Sequence, residues 1–121
     1  MTVTVRITKS FKTAVKPLLK KYPSLSKDLL VLESELIKNP KLGTPLGLNA
    51  FKIRLKISSK GKGKSGGARV ISLVETFLIG QFNMEGADIV VNLIMIYDKS
   101  DTASISDKEL REIIRVFYEG R

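Results

Sequence analysis

The sequence predicts a small α+β domain in the order β-αα-βββ-α, with a largely antiparallel twisted sheet, an N-terminal helical hairpin and a C-terminal helix. Three observations carry that expectation. Residues 51–58 alternate apolar and polar side chains at a period of two, as a half-buried strand does. Residues 11–22 and 25–37 repeat apolar residues at helical spacing. Residues 106–117 open with a capping pattern and continue as a helical stripe. At 121 residues the chain is expected to form one domain over residues 1–121, large enough to bury a core without disulfides.

The elements follow in order. Residues 2–8 are rich in Val, Ile and Thr and read as a first strand. Ser10 can cap a helix whose stripe is Phe11, Ala14, Val15, Leu18, Leu19 and Tyr22. Pro17 removes one backbone bond, so this helix is expected to kink at Pro17 or begin near it. Ser24 or Ser26 can cap a second helix with Leu25, Leu29, Leu32 and Leu36 on its buried face, stopped by Asn39 and Pro40. Residues 39–49 hold Pro40, Gly43, Pro45 and Gly47 and read as turns. The strand at 51–58, a loop at 59–67, a strand at about 68–80 and a third at 88–97 make the sheet, with residues 81–87 as the last hairpin connection. The run 88–97 is almost continuously apolar, which predicts a central strand covered on both faces. In the last helix Ser106 and Glu109 form a capping box, Ile105 and Leu110 a hydrophobic staple, and Leu110, Ile113, Ile114 and Phe117 the buried stripe.

Composition narrows the chemistry. There is no Cys and no His, which removes the usual ligands of zinc and the usual general base near neutral pH. Neither a cofactor nor a metal is expected. Asp98, Asp101, Asp107 and Glu109 are spaced for turns and helix capping rather than for a metal. No stretch approaches about 18 consecutive apolar residues, and the first residues lack a signal-peptide layout, so no membrane is expected and the cytoplasm is the expected compartment.

Charge is the functional signal. The formal net charge is +9, and residues 51–69 alone hold seven cations and no acid. Lys52, Arg54 and Lys56 occupy the polar positions of the alternating strand, opposite Phe51, Ile53, Leu55 and Ile57. Lys60, Lys62 and Lys64 lie in a glycine-rich loop that includes Gly66 and Gly67, a composition that lets backbone N–H groups approach phosphates. Arg69 closes the segment and can engage a phosphate bidentately. The surface so described suits a polyanion. Gly63, Lys64 and Ser65 match the end of a nucleotide-binding P-loop, but Ser58 stands where that pattern needs glycine, and a strand follows where it needs a helix.

The block from Gly61 through Gly63, Lys64, Ser65, Gly66, Gly67, Ala68 and Arg69 to Ile71, preceded by Lys52, Ile53, Arg54 and Leu55, resembles the RelE/ParE superfamily of toxins from bacterial type II toxin–antitoxin systems, nearest the HigB/RelE-like branch. Residues 96–100 and 105–110 resemble the last strand and C-terminal helix of those proteins, and residues 11–23 match their first helix loosely. The resemblance implies a cytoplasmic mRNA interferase: a metal-free, ribosome-dependent endoribonuclease that inhibits translation. Its implied partners are the ribosome, mRNA and an acidic antitoxin of the helix-turn-helix type. By position, Arg69 matches the family arginine that stabilises charge at the scissile phosphate. Lys52, Arg54 and Lys56 match its basic strand, which in some members supplies the catalytic lysine. Some members place a catalytic tyrosine shortly after the last strand, where this chain has Ile105 and Ser106. Residues 81–87 also lengthen the last hairpin.

Cleavage by a ribose 2′-OH needs that proton removed, the phosphorane charge stabilised and the leaving oxygen protonated. Clustered cations stabilise the charge and lower one another's pKa, so one lysine of the cluster can serve as base. Lys52 and Lys56 are the candidate bases; Tyr97 and Lys99 are the candidate acids. Two other readings stay open: the gyrase-poisoning branch of the same superfamily, and a non-catalytic basic RNA-binding module.

Overall fold

The computed structural model describes residues 2–60, 66–78, 86–101 and 104–120. Its elements are β1 (Thr2–Ile7), α1 (Lys9–Lys21), α2 (Leu25–Lys38), β2 (Thr44–Gly47), β3 (Ala50–Leu55), a 3-10 turn (Ser58–Lys60), β4 (Ala68–Leu78), β5 (Ala87–Asp98) and α3 (Asp107–Glu119). The strands form one sheet in the order β1-β5-β4-β3-β2. β1 runs parallel to β5 and the other neighbouring pairs are antiparallel. The domain is α+β, as expected, and β5 lies inside the sheet.

Three local expectations need correction. The turn-rich stretch at 39–49 contains a strand, β2, which holds Pro45. β2 is an edge strand, the place in a sheet where a missing N–H is tolerated. It joins β3 through Leu48 and Asn49, both with positive φ (56° and 61°), the signature of a tight hairpin turn. The alternating strand ends at Leu55, and Ser58–Lys60 turns away as a 3-10 helix. The first helix starts at Lys9 with Thr8 as its cap: Phe11 N–H donates to Thr8 Oγ1 at 3.3 Å, while the Ser10 hydroxyl donates to the Ile94 carbonyl at 2.8 Å. This helix continues through Pro17. The carbonyl left without a donor belongs to Thr13, an exposed residue, where water can satisfy it.

The sheet is covered on both faces. On one face Phe11, Val15 and Leu18 of α1, Tyr22 at its C-terminal cap, and Leu25, Leu32 and Leu36 of α2 pack on Ile53, Leu55, Val70, Val91, Leu93 and Ile96. On the other, Leu110 and Ile114 of α3 pack on Ala50, Ile71, Leu73 and Ile94, with Met95, Tyr97, Ile105 and Phe117 at the margin. The capping box is in place: Glu109 N–H donates to Ser106 Oγ at 3.1 Å.

One irregularity decides what faces where. Ile71 pairs with Met95 but Ser72 pairs with Leu93, so Ile94 is an extra residue in β5. Such a bulge reverses side-chain parity along a strand. Ile94 packs on the α3 side, and so do Met95 and Tyr97, whereas Leu93 and Ile96 pack on the α1/α2 side. Tyr97 and Asp98 alternate as strand neighbours do, and the bulge sets which way: Tyr97 falls on the α3 face and Asp98 on the other, where Tyr22 meets it.

Candidate nucleic-acid interface

Cross-strand pairing brings the basic residues together. Arg54 on β3 stands opposite Arg69 on β4, and Arg69 stands opposite Tyr97 on β5. Directly opposed residues point to the same side of a sheet, so the three form one row. Lys52 opens the next row, opposite Ile71. Since Ile71 and Tyr97 belong with α3, this row lies on the α3 face, beside the N-terminal approach to that helix. Lys56 follows the end of β3 and is exposed, as is Arg54; Lys52 is half-buried. Beyond Lys52, β3 has no pairing with β2, and its edge faces α2 across two shallow grooves that share Glu35 and Arg54.

The row is graded in exposure. Arg54 meets solvent, whereas Arg69 is only 5 % exposed and donates to the Ala68 carbonyl at 3.2 Å. Burial raises the Tyr97 phenol above its ordinary pKa; the Arg69 guanidinium and the Ile105 backbone oppose that shift. The Tyr97 hydroxyl is enclosed and makes no hydrogen bond of normal geometry among the described residues. An enclosed hydroxyl so weakly bonded gains little from its burial, so its retention beside an arginine is a feature to explain.

The glycine loop is held at both ends. Lys62 and Lys64, with the Gly63–Ser65 motif, lie outside the described residues. Lys60, expected as a loop cation, is instead fixed: its ammonium donates to Asp98 Oδ1 at 2.7 Å, to the Gly66 carbonyl at 2.8 Å and to Ser100 Oγ at 3.1 Å. Tyr22 donates its hydroxyl to Asp98 Oδ2 at 2.5 Å, and Ser100 donates both its N–H and its hydroxyl to Oδ1. Burial alone would raise the Asp98 pKa; the bonds from Lys60, Ser100 and Tyr22 outweigh it and hold the carboxyl far below the usual carboxylate range. Burial likewise works against the Lys60 charge, and Asp98 overcomes it, so the Lys60 pKa is raised.

On the other flank Asp28 accepts from the Ser58 N–H at 3.0 Å, from the Ser58 hydroxyl at 2.7 Å and from Ser24 at 2.8 Å. Gly67 completes the anchorage. A Cβ built there would sit 2.0 Å from the Leu55 carbonyl oxygen, so only glycine lets β4 start this close to β3. Lys99 is half-buried at the end of β5, and its N–H donates to the Gly67 carbonyl at 3.1 Å.

The structure thus gathers Lys52, Arg54, Arg69 and Tyr97 on one face. It places Lys56 just beyond, Gly66, Gly67 and Lys99 at the loop base, and Lys60 inside a structural clamp. Asp98, weighed in the sequence as one of four carboxylates, is the centre of that clamp. Sequence patterning gave no sign of Tyr22, Asp28 or Ser58 as anchors, because their partners lie 30 to 76 positions away.

A second cationic feature hides in the charge total. Residues 2–27 hold Arg6, Lys9, Lys12, Lys16, Lys20, Lys21 and Lys27 and no acid, a charge of +7 equal to that of residues 51–69; the remaining residues sum to −5, which restores the net +9. Counting charge window by window reveals it, whereas comparing one segment with the total does not.

The sequence matches no protein-family model, and no curated protein matches it significantly.

Proposed function

We propose that this chain is the toxin component of a type II toxin–antitoxin system, a metal-free, ribosome-dependent mRNA endonuclease. The observation that carries the reading is the cross-strand row Arg54–Arg69–Tyr97, set beside Lys52 and a glycine loop anchored at both ends. Two adjacent guanidiniums and a lysine supply what a phosphorane needs most, fixed positive charge that does not have to reorganise during the reaction. Arg54 is the exposed member, so an RNA phosphate meets it first, with Arg69 behind it. Lys52 and Lys56 are the candidate bases that take the 2′-OH proton; Tyr97 or Lys99 returns a proton to the leaving oxygen. Substrate alignment comes from the ribosome, which accounts for an open surface in place of a deep pocket. In the cell an acidic antitoxin covers the basic face.

The test is induced expression. Growth arrest accompanied by cuts in translated mRNAs, both relieved by Arg54→Ala and by Arg69→Ala, is the expected result. Arrest with intact mRNA and broken chromosomal DNA would transfer the protein to the gyrase-poisoning reading. Salt-sensitive RNA binding with no product and no arrest would leave a non-catalytic binding module.

A further inference from the structure

The lysines of α1 form a stripe. At 3.6 residues per turn, Lys9, Lys12, Lys16 and Lys20 fall within an arc of about 80° on the side opposite Phe11, Val15 and Leu18. All four are exposed, and none makes an ion pair among the described residues. Lys21 lies off the stripe and reaches Asp98 at 3.7 Å. α1 packs on the sheet face opposite α3, so the stripe points away from the Arg54–Arg69–Tyr97 row.

Helix stability does not explain the stripe. α1 has no acid in its first turn, and Lys9 places a cation at the helix end where the macrodipole disfavours it. Lys12, Lys16 and Lys20 are spaced i, i+4, where like charges repel. Lys20 alone sits where the dipole favours a cation, in the last turn; for Lys9, Lys12 and Lys16 the described residues offer no ion-pair partner, so their anion is sought outside.

We infer that α1 is a second nucleic-acid surface, one that lies along the phosphate backbone of double-helical RNA. Its composition separates this partner from others. Protein interfaces are anchored by Arg, Tyr and Trp and are poor in Lys, and the stripe is lysine alone. A membrane-surface helix buries its apolar side in lipid, but the apolar side of α1 is in the core and Leu19 is the exposed apolar residue beside the stripe. Unpaired strands are held by aromatic stacking, and α1 exposes no aromatic: Phe11 and Tyr22 are buried. What remains is sequence-independent contact with regularly spaced phosphates, over about 16 Å from Lys9 to Lys20. The choice of RNA over DNA rests on the proposed function; the stripe reads phosphate in either. With both surfaces engaged, the protein is gripped from two sides, by a folded RNA at α1 and by the strand to be cut at β3 and β4.

The test is equilibrium binding of the full chain to an RNA duplex of about 16 base pairs, to the same sequence as DNA duplex, to single-stranded RNA, and to vesicles of phosphatidylserine and phosphatidylcholine, each over a salt series. The stripe variant is Lys9→Gln/Lys12→Gln/Lys16→Gln/Lys20→Gln, in which glutamine preserves helix propensity; the comparison variant is Lys52→Gln/Arg54→Gln. The stripe variant should weaken RNA-duplex binding about tenfold or more and reduce the salt slope by about 0.7–0.9 for each phosphate it no longer neutralises. The strand variant should mainly weaken single-stranded RNA. Circular dichroism checks the fold, and Lys12→Gln/Lys16→Gln replaces the quadruple variant if that variant unfolds. Unchanged duplex binding and slope in the stripe variant overturns the inference, as does tighter binding to the DNA duplex or binding confined to vesicles. No ribosome is present, so failure here is distinct from failure to cleave mRNA.

Discussion

The Lys60 ammonium lies 2.7 Å from Asp98 Oδ1, and that contact ties the front of the glycine loop to the end of β5, 38 positions away in sequence. The side chains are 12 % and 1 % exposed, so this is an ion pair taken largely out of water. Removing one partner leaves the other charge buried. Asp98→Asn is therefore expected to destabilise the fold by about 3 kcal/mol. The double variant with Lys60→Met should recover part of that loss. Urea denaturation of both singles and the double measures the coupling, and simple additivity would show that the pair is not interacting.

The same pair sets an acid limit. A carboxyl whose folded pKa lies below its unfolded value adds stability above the unfolded value, and that stability is lost as pH falls toward the folded one. Asp98 is held far below its ordinary 3.8, and Asp28 is also lowered, against its burial, by bonds from Ser58 and Ser24. Stability should fall as the medium is acidified from about pH 5. Asp98→Asn should be weaker at neutral pH yet lose less on acidification. Equal acid sensitivity in variant and parent would place the responsible groups elsewhere.

Gly67→Ala puts a methyl 2.0 Å from the Leu55 carbonyl oxygen, a backbone atom that cannot swing aside. A cost of about 3 kcal/mol is expected, at the upper end for overpacking, together with a displaced loop base. Thermal denaturation checks the first, and accelerated proteolysis between residues 60 and 66 the second. A variant as stable as the parent would mean that β3 and β4 separate easily here.

Leu48 sits at φ 56° and is 60 % exposed, so it holds a left-handed conformation with little repayment from packing. Asparagine tolerates that region better. Leu48→Asn should raise stability by about 0.5–1 kcal/mol. A lower melting temperature would show that Leu48 contributes a contact that outweighs its strain.

Tyr97→Phe removes an enclosed hydroxyl that makes no hydrogen bond of normal geometry among the described residues, so stability should hold or rise, by up to about 1 kcal/mol. If Tyr97 supplies the leaving-group proton, mRNA cleavage falls at least tenfold in the same variant while stability does not fall. Stability kept with cleavage unchanged would assign the acid role to Lys99.

Local pattern and pairwise contact explain what could be read in advance. The alternation from Phe51 to Ile57 shows which side chains face the core, and the Ser106–Glu109 box marks the start of the last helix, because both are encoded within a few residues. The bulge at Ile94 is not encoded that way: the run Leu93–Ile96 is apolar on both parities, so nothing in it marks the residue where facing reverses. That reversal is what assigns Tyr97 to the α3 face and Asp98 to the other. Lys60 reads as a loop cation because its partner is fixed by tertiary pairing of Ala68 with Asp98. The lysines of α1 are plain in the sequence at helical spacing, but the denser cluster at 51–69 draws the eye first.

β1 pairs with β5 in the register Thr2 to Asp88, a separation of 86 positions, while every other strand pair is between neighbours in the chain. Contacts so remote are slow to form, since the loop must close before they stabilise anything. During synthesis Thr2–Ile7 emerges long before β5 exists, and the β-branched strand waits unpaired until Ala87–Asp98 has been translated. The outermost strand on that side of the sheet is thus the earliest made and the last to be seated. A factor that captured this segment on the nascent chain could keep the sheet from closing at all.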